Sequence, residues 1–124
     1  YRIAIAGNQG EGVAEQIEAL DLGADVIGTA ALWGVPKPEP AFFQRLCDEL
    51  DLEPSQIVKV GDRLDNDVLP AIEFGMQAVH LRRGPWGTIQ AGWPESTGVR
   101  WKIDRLGQLC DTLHQIEEAT AVDG

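Results

Sequence analysis

The stretch Gln56-Ile57-Val58-Lys59-Val60-Gly61-Asp62-Arg63-Leu64-Asp65-Asn66-Asp67-Val68 decides how the chain is read. It opens as a short apolar run, Ile57 to Val60, bounded by turn formers, which is the pattern of a buried strand. The run breaks at Gly61-Asp62. Beyond Asp67 the apolar residues Val68, Leu69, Ala71, Ile72 and Phe74 recur at helical spacing and predict a helix over 66–74. Asp62, Asp65, Asn66 and Asp67 therefore crowd the loop between the C-terminal end of a strand and the next helix. In open α/β sheets that edge is where ligands bind. Carboxylates and an amide oxygen gathered there are hard donors, suited to Mg²⁺ rather than to a soft metal. Helix capping by Asp65 or Asn66 is the plainer alternative, but one cap does not need four polar groups.

Outward from this stretch, strand patterns alternate with helical ones. Residues 2–6 read as a strand, 12–20 as a helix with Val13, Ile17 and Leu20 on one face, and 25–28 as a second strand. Residues 29–39 read as a loop, because Pro36 and Pro38 suit neither helix nor central strand. A helix follows over 40–50, with Pro40 in its first turn and Phe42, Phe43, Leu46 and Leu50 as its apolar stripe. Gly75 ends the helix after the acidic loop, and 77–81 is the next strand. Residues 84–98 read as irregular, 99–102 as a short edge strand, and 103–118 as a closing helix. The alternation predicts an α/β fold, a three-layer Rossmann-like parallel sheet with right-handed crossovers. Residues 1–118 form one domain on this reading, and 119–124 a flexible tail.

The chain has 124 residues, 44% of them hydrophobic and 24% charged, which suits one globular domain with a core. Its formal net charge of −10 disfavours nucleic acid and anionic membrane surfaces, where binding rests on Lys and Arg neutralising phosphates. No apolar run approaches the length of a transmembrane helix. Cys47 and Cys110 stand far apart and form no Cys-x-x-Cys pair, so both are expected to be reduced, buried thiols in a cytoplasmic protein. The chain opens inside a strand, without Met or lead-in, and reads as a piece of something longer.

Lys37 lies in the Pro-rich loop just before a helix. There it could offer positive charge to a phosphate, and it gains weight beside the acidic loop, since a metal and an ammonium together can hold a phosphoryl group. A solvated surface lysine is the bland alternative. Gly7-Asn8-Gln9-Gly10-Glu11-Gly12 superficially resembles a dinucleotide fingerprint, but its glycines are spaced three then two, and no acid ends the next strand. Backbone N–H groups in that turn could still bind an anion. His80 and His114 read as structural or exposed. Trp33, Trp86 and Trp93 lie in loop stretches where they could cover a site mouth, and Trp101 reads as packing, but core or loop-anchoring duty is the favoured reading for all four.

Three segments taken together resemble the C-terminal half of the core domain of haloacid dehalogenase-like (HAD) hydrolases. They are Lys37-Pro38-Glu39-Pro40-Ala41-Phe42-Phe43, then Val60-Gly61-Asp62-Arg63-Leu64-Asp65-Asn66-Asp67-Val68, then Leu81-Arg82-Arg83-Gly84-Pro85-Trp86-Gly87. The resemblance implies a Mg²⁺-dependent phosphatase for a small phosphorylated metabolite, in which an Asp nucleophile forms an aspartyl-phosphate that water hydrolyses. By position, Lys37 would hold the nucleophile and phosphate. Asp62 would ligate metal, Asp67 would bind it directly or through water, and Asn66 would stand behind them. Catalytic duty would then fall on Lys37, Asp62 and Asp67, and phosphate binding on Gly7, Asn8 and Lys37.

Two departures from the family pattern stand out. Gly7 replaces the usual Ser or Thr hydroxyl after the first strand, leaving a backbone N–H or the Asn8 amide to substitute. The nucleophile motif DxDx[TV] is also not found, because Asp65-Asn66-Asp67 has the spacing but belongs to the other motif. The nucleophile strand and the cap domain are thus expected outside this chain, which alone should not turn over phosphate esters. The strands at 2–6 and 57–60 would flank that strand. They are expected either to pair directly or to hold a complementing N-terminal segment or a second chain between them. A non-catalytic binding or regulatory domain of the same fold is the second reading. A phosphoacceptor receiver domain is the third, though it would need an acidic pair where Gly7-Asn8 stands and its lysine later in the chain.

Overall fold

The apolar runs form parallel strands, as their alternation with helices requires. In the computed structural model, which describes residues 1–123, β1 (Ala4–Gly7) pairs with β2 (Val26–Thr29) in register Ala4 to Val26 through Gly7 to Thr29. Separately, β3 (Val58–Gly61) pairs with β4 (Gln77–Leu81), and β4 with β5 (Trp101–Ile103). Helices α1 (Val13–Ala19), α2 (Ala30–Trp33), α3 (Pro40–Leu50), α4 (Leu69–Phe74), α5 (Gly84–Gln90) and α6 (Leu109–Asp123) connect or follow the strands.

The layers follow from the two faces of the strands. Phe42, Phe43, Leu46 and Leu50 of α3 form the main core with Ala71 of α4, Ile57, Leu64, Val68 and Ala78. On the opposite face Ile116 of α6 closes over Val79 and Ile103, with Val58, Val60 and Leu81 packed against them. Trp33 anchors the first half-sheet to this core, its ring lying 5.1 Å from that of Phe42. A Cβ at Gly28 would fall 2.0 Å from the Trp33 ring, so β2 admits only glycine beneath the indole.

The expected direct pairing of the first and third strands does not occur. The sheet is split into β1-β2 and β3-β4-β5, with a slot of about 450 Å³ between β1 and β3. Its walls are Ile3, Ala4 and Ala6 on one side and Ile57 to Gly61 on the other, while Leu46 and Leu50 of α3 and Leu109 and Leu113 of α6 line it from the helix layers. No strand among the described residues pairs with either facing edge.

Other differences are local. Residues 30–33 and 84–90 are helical rather than loop, the latter because Pro85 occupies its first turn and the glycines do not prevent it. Pro94–Gly98 is a 3₁₀ turn. The helix expected over 66–74 begins instead as a π-helical turn, Leu64–Val68, in which Val68 N–H bonds Arg63 O at 3.1 Å, before α4 proper. The last strand sits at 101–103, and the closing helix starts at Leu109 and runs through Asp123, beyond the expected end at 118, since Ala119, Thr120 and Ala121 include no helix breaker. Gly124, the end of the expected tail, lies outside the described residues. Cys47 is buried as expected, whereas Cys110 is exposed on α6.

Candidate active site

Gly61 ends β3 and admits the acidic turn against the strand. A Cβ there would lie 2.6 Å from Cβ and Cγ of Asp67, so only glycine lets the turn fold back this closely. Asp67 is thereby buried, with 5% side-chain exposure. Its Oδ1 accepts a hydrogen bond from Lys37 Nζ, and Lys59 Nζ stands 3.4 Å from the same oxygen. Both lysine side chains are 11% exposed. Burial pushes the Lys59 ammonium below the ordinary lysine pKa, against the opposing pull of Asp67.

Lys37 is placed from the other half-sheet. Asn8, just past β1, donates Nδ2–H to Lys37 O at 3.0 Å and accepts Lys37 N–H on Oδ1 at 2.7 Å. The structure therefore brings Asn8, Lys37 and Asp67 together, and spends the Asn8 amide on the lysine backbone. Gly7 ends β1 beside them.

Asp62 takes a different role from Asp67. Its carboxylate enters no ion pair among the described residues, and its backbone carbonyl lies 3.1 Å from His80 Nε2. His80 is fully buried, burial lowers its pKa, and its Nδ1 lacks a partner, which fits a neutral ring with the proton on Nε2. Asp65 turns away from the site. Arg63 grips it with Nε at 2.9 Å and Nη2 at 2.7 Å, and Gln90 Nε2 donates at 3.1 Å. These bonds, the Arg63 fork first, hold the Asp65 carboxyl down at about 2. Gln90 is itself fully buried and accepts the Leu64 N–H, fastening α5 to the acidic turn. Arg63 also lies 4.3 Å over the ring of Trp86, which is exposed at the rim.

The donor set fits Mg²⁺ only in part. No group of three or more His, Cys, Asp or Glu side chains capable of holding a metal forms among the described residues. Mg²⁺ is usually bound by one or two carboxylates plus waters and phosphate oxygens, and Asp62 offers one free carboxylate of that kind. Asp67 is held by two ammoniums, so a cation next to its Oδ1 would meet like charge.

Sequence reasoning brought out Lys37, Asp62, Asp67, Asn66, Gly7 and Asn8, but missed Lys59, His80 and Gln90 as parts of the site. A lysine inside a buried strand run was the available signal for Lys59. Gln90 fell in a stretch read as irregular. Of the tryptophans, Trp33 is core, Trp93 packs against it, and Trp86 alone is at the rim.

A lysine and two carboxylates gather at the carboxyl ends of parallel strands, the edge at which Rossmann-like α/β proteins bind their ligands. Residues 34–91 match the family pattern of HAD-hydrolase-like proteins. The chain is 39% identical over 94 residues to glyceraldehyde 3-phosphate phosphatase of Methanocaldococcus jannaschii, covering 76% of this chain and 39% of that protein. It is 31% identical over 81 residues to phospholysine phosphohistidine inorganic pyrophosphate phosphatase of Bos taurus, covering 65% and 30%. The crystal structure of a HAD phosphatase from Thermococcus onnurineus superposes with a TM-score of 0.76 at 28% identity, over 91% of this chain and 50% of that one. The chain thus spans well under half the length of the curated relatives it matches. It belongs to the haloacid dehalogenase-like hydrolase superfamily and has the HAD fold.

Proposed function

We infer that this chain is the lysine- and acid-bearing half of a Mg²⁺-dependent phosphatase core acting on a small phosphorylated metabolite in the cytoplasm. One observation carries the reading. Lys37 and Asp67 form a buried pair in the turn that Asp62 opens at the end of β3, and the Asp62 carboxylate enters no ion pair among the described residues. Lys37 would orient and neutralise the phosphoryl oxygens, held in place by Asn8 on one side and Asp67 on the other. Asp62 would hold Mg²⁺, with Asp67 reaching it through water and Asn66 behind. The ion, when bound, supplies Lewis-acid charge to the phosphoryl oxygens. The aspartate nucleophile would come from a segment outside this chain, seated between β1 and β3 as a parallel strand. On this reading the chain alone does not turn over phosphate esters.

Gly7 bears no hydroxyl and the Asn8 amide is already engaged, an arrangement that would also suit a non-catalytic binding domain. Calorimetry separates the two readings. Mg²⁺ should bind the wild-type protein in the presence of inorganic phosphate, and Asp62→Asn should abolish that binding. Equal Mg²⁺ uptake by Asp62→Asn, or none by the wild type, would overturn the phosphatase reading in favour of the binding domain.

A further inference from the structure

Lys59 occupies a position where an apolar residue would be expected. Its strand neighbours Val58 and Val60 pack into one core cluster and Ile57 into the other, yet the Lys59 side chain is buried with an ammonium at its tip. Taking that charge out of water is expensive unless an anion repays it. Asp67 does not need it, because Lys37 already bonds the same Oδ1 more closely. Two ammoniums thus share one bonded carboxylate, while Asp62, the other carboxylate acting on Lys59, forms no ion pair with it among the described residues.

The hydrogen-bond count points the same way. An ammonium has three donors. Those of Lys59 find only Asp67 Oδ1 at 3.4 Å and Val60 O at 3.4 Å, both long contacts, and Lys59 lines the slot. Donor capacity is thus unspent, beside the group already assigned to phosphate.

We propose that Lys59 is a second oxyanion-binding group of this site, forming with Lys37 a two-ammonium seat for the phosphoryl group of the substrate. The assignment rests on the phosphatase reading and goes beyond it. It adds a cation contributed by β3 itself, so that a phosphate monoester or inorganic phosphate would meet two ammoniums rather than one. It also accounts for how a site with Gly7 in place of a hydroxyl retains enough donors. A carboxylate from an adjoining segment would satisfy the same chemistry, so the probe is inorganic phosphate, added to the protein without such a segment.

Phosphate binding is measured by calorimetry for the wild type, Lys59→Met, Lys59→Arg and Lys37→Met, together with the thermal midpoint of each. Lys59→Met should weaken phosphate binding by about ten- to a hundredfold, the range of one hydrogen bond to a charged group. Its midpoint should hold or rise, because a buried like charge has been removed. Lys59→Arg should recover part of the affinity. Should Lys59→Met fail to fold, Lys59→Gln is read by the same criteria. Unchanged phosphate affinity in Lys59→Met with a lowered midpoint would show that Lys59 only balances Asp67, and would overturn the assignment. No phosphate uptake by the wild type would overturn it too. If Lys37→Met loses phosphate while Lys59→Met does not, the phosphatase reading stands and the role of Lys59 falls.

Discussion

Asn8 and Lys37 hold each other by two hydrogen bonds, side-chain amide to backbone, between the turn after β1 and the loop before α3. The lysine that bonds Asp67, in the turn after β3, is thus fixed by a residue of the first half-sheet. Asn8→Ala should therefore lower stability by about 1–2 kcal/mol, for two partly exposed hydrogen bonds. It should also weaken phosphate binding at Lys37, whose backbone the Asn8 side chain positions. Chemical denaturation and phosphate calorimetry on the same variant check both effects.

Asp67→Ala removes the carboxylate that the Lys37 and Lys59 ammoniums share. Breaking a buried pair in this way typically costs about 3–5 kcal/mol. The double variant Asp67→Ala/Lys59→Met should be less destabilised than Asp67→Ala alone, since it leaves one uncompensated cation instead of two. A double-mutant cycle by urea unfolding measures this coupling.

Two glycines predict strain where a neighbouring side chain packs directly on the backbone. Gly61→Ala sets a methyl group against Asp67 and should displace the acidic turn, and Gly28→Ala should drive Trp33 out of the core. Each is expected to cost about 1–3 kcal/mol, the usual range for overpacking. Only Gly61→Ala should also reduce phosphate affinity. Near-ultraviolet circular dichroism should register the Trp33 shift in Gly28→Ala.

The two thiols should separate by reactivity. Burial, with Asp48 and Glu53 nearby, raises the Cys47 pKa, so its thiolate is scarce in the folded protein. Cys110 is exposed. At pH 8 a chromogenic disulfide reagent should label one thiol rapidly, and Cys110→Ser should abolish the fast phase. The second thiol should react only on unfolding, and folded-state labelling should respond to rising pH later at Cys47 than a free thiol would.

What could be read in the sequence was local. Lys37, Asp62 and Asp67 stand at element ends marked by Pro and Gly, so their shared edge followed from strand and helix patterns alone. Asn8 was picked out for the wrong contact, because its partner is a backbone group far along the chain. Gln90 lies in a misread segment and acts through Leu64 and Asp65, far back in the chain, whereas Lys59 reads locally as one more residue of a strand. The slot was not legible either, because strand pairing is non-local.

The two unpaired edges of β1 and β3 also tie this protein's stability to mass action. A strand that enters the slot binds the folded form and not the unfolded one, so its presence stabilises the fold by RT ln(1 + [L]/Kd), about 2.7 kcal/mol at a hundredfold excess over Kd. The melting temperature then becomes a titration curve. Synthetic extended peptides could be ranked by how far each raises it, with no phosphate ester and no metal in the cuvette.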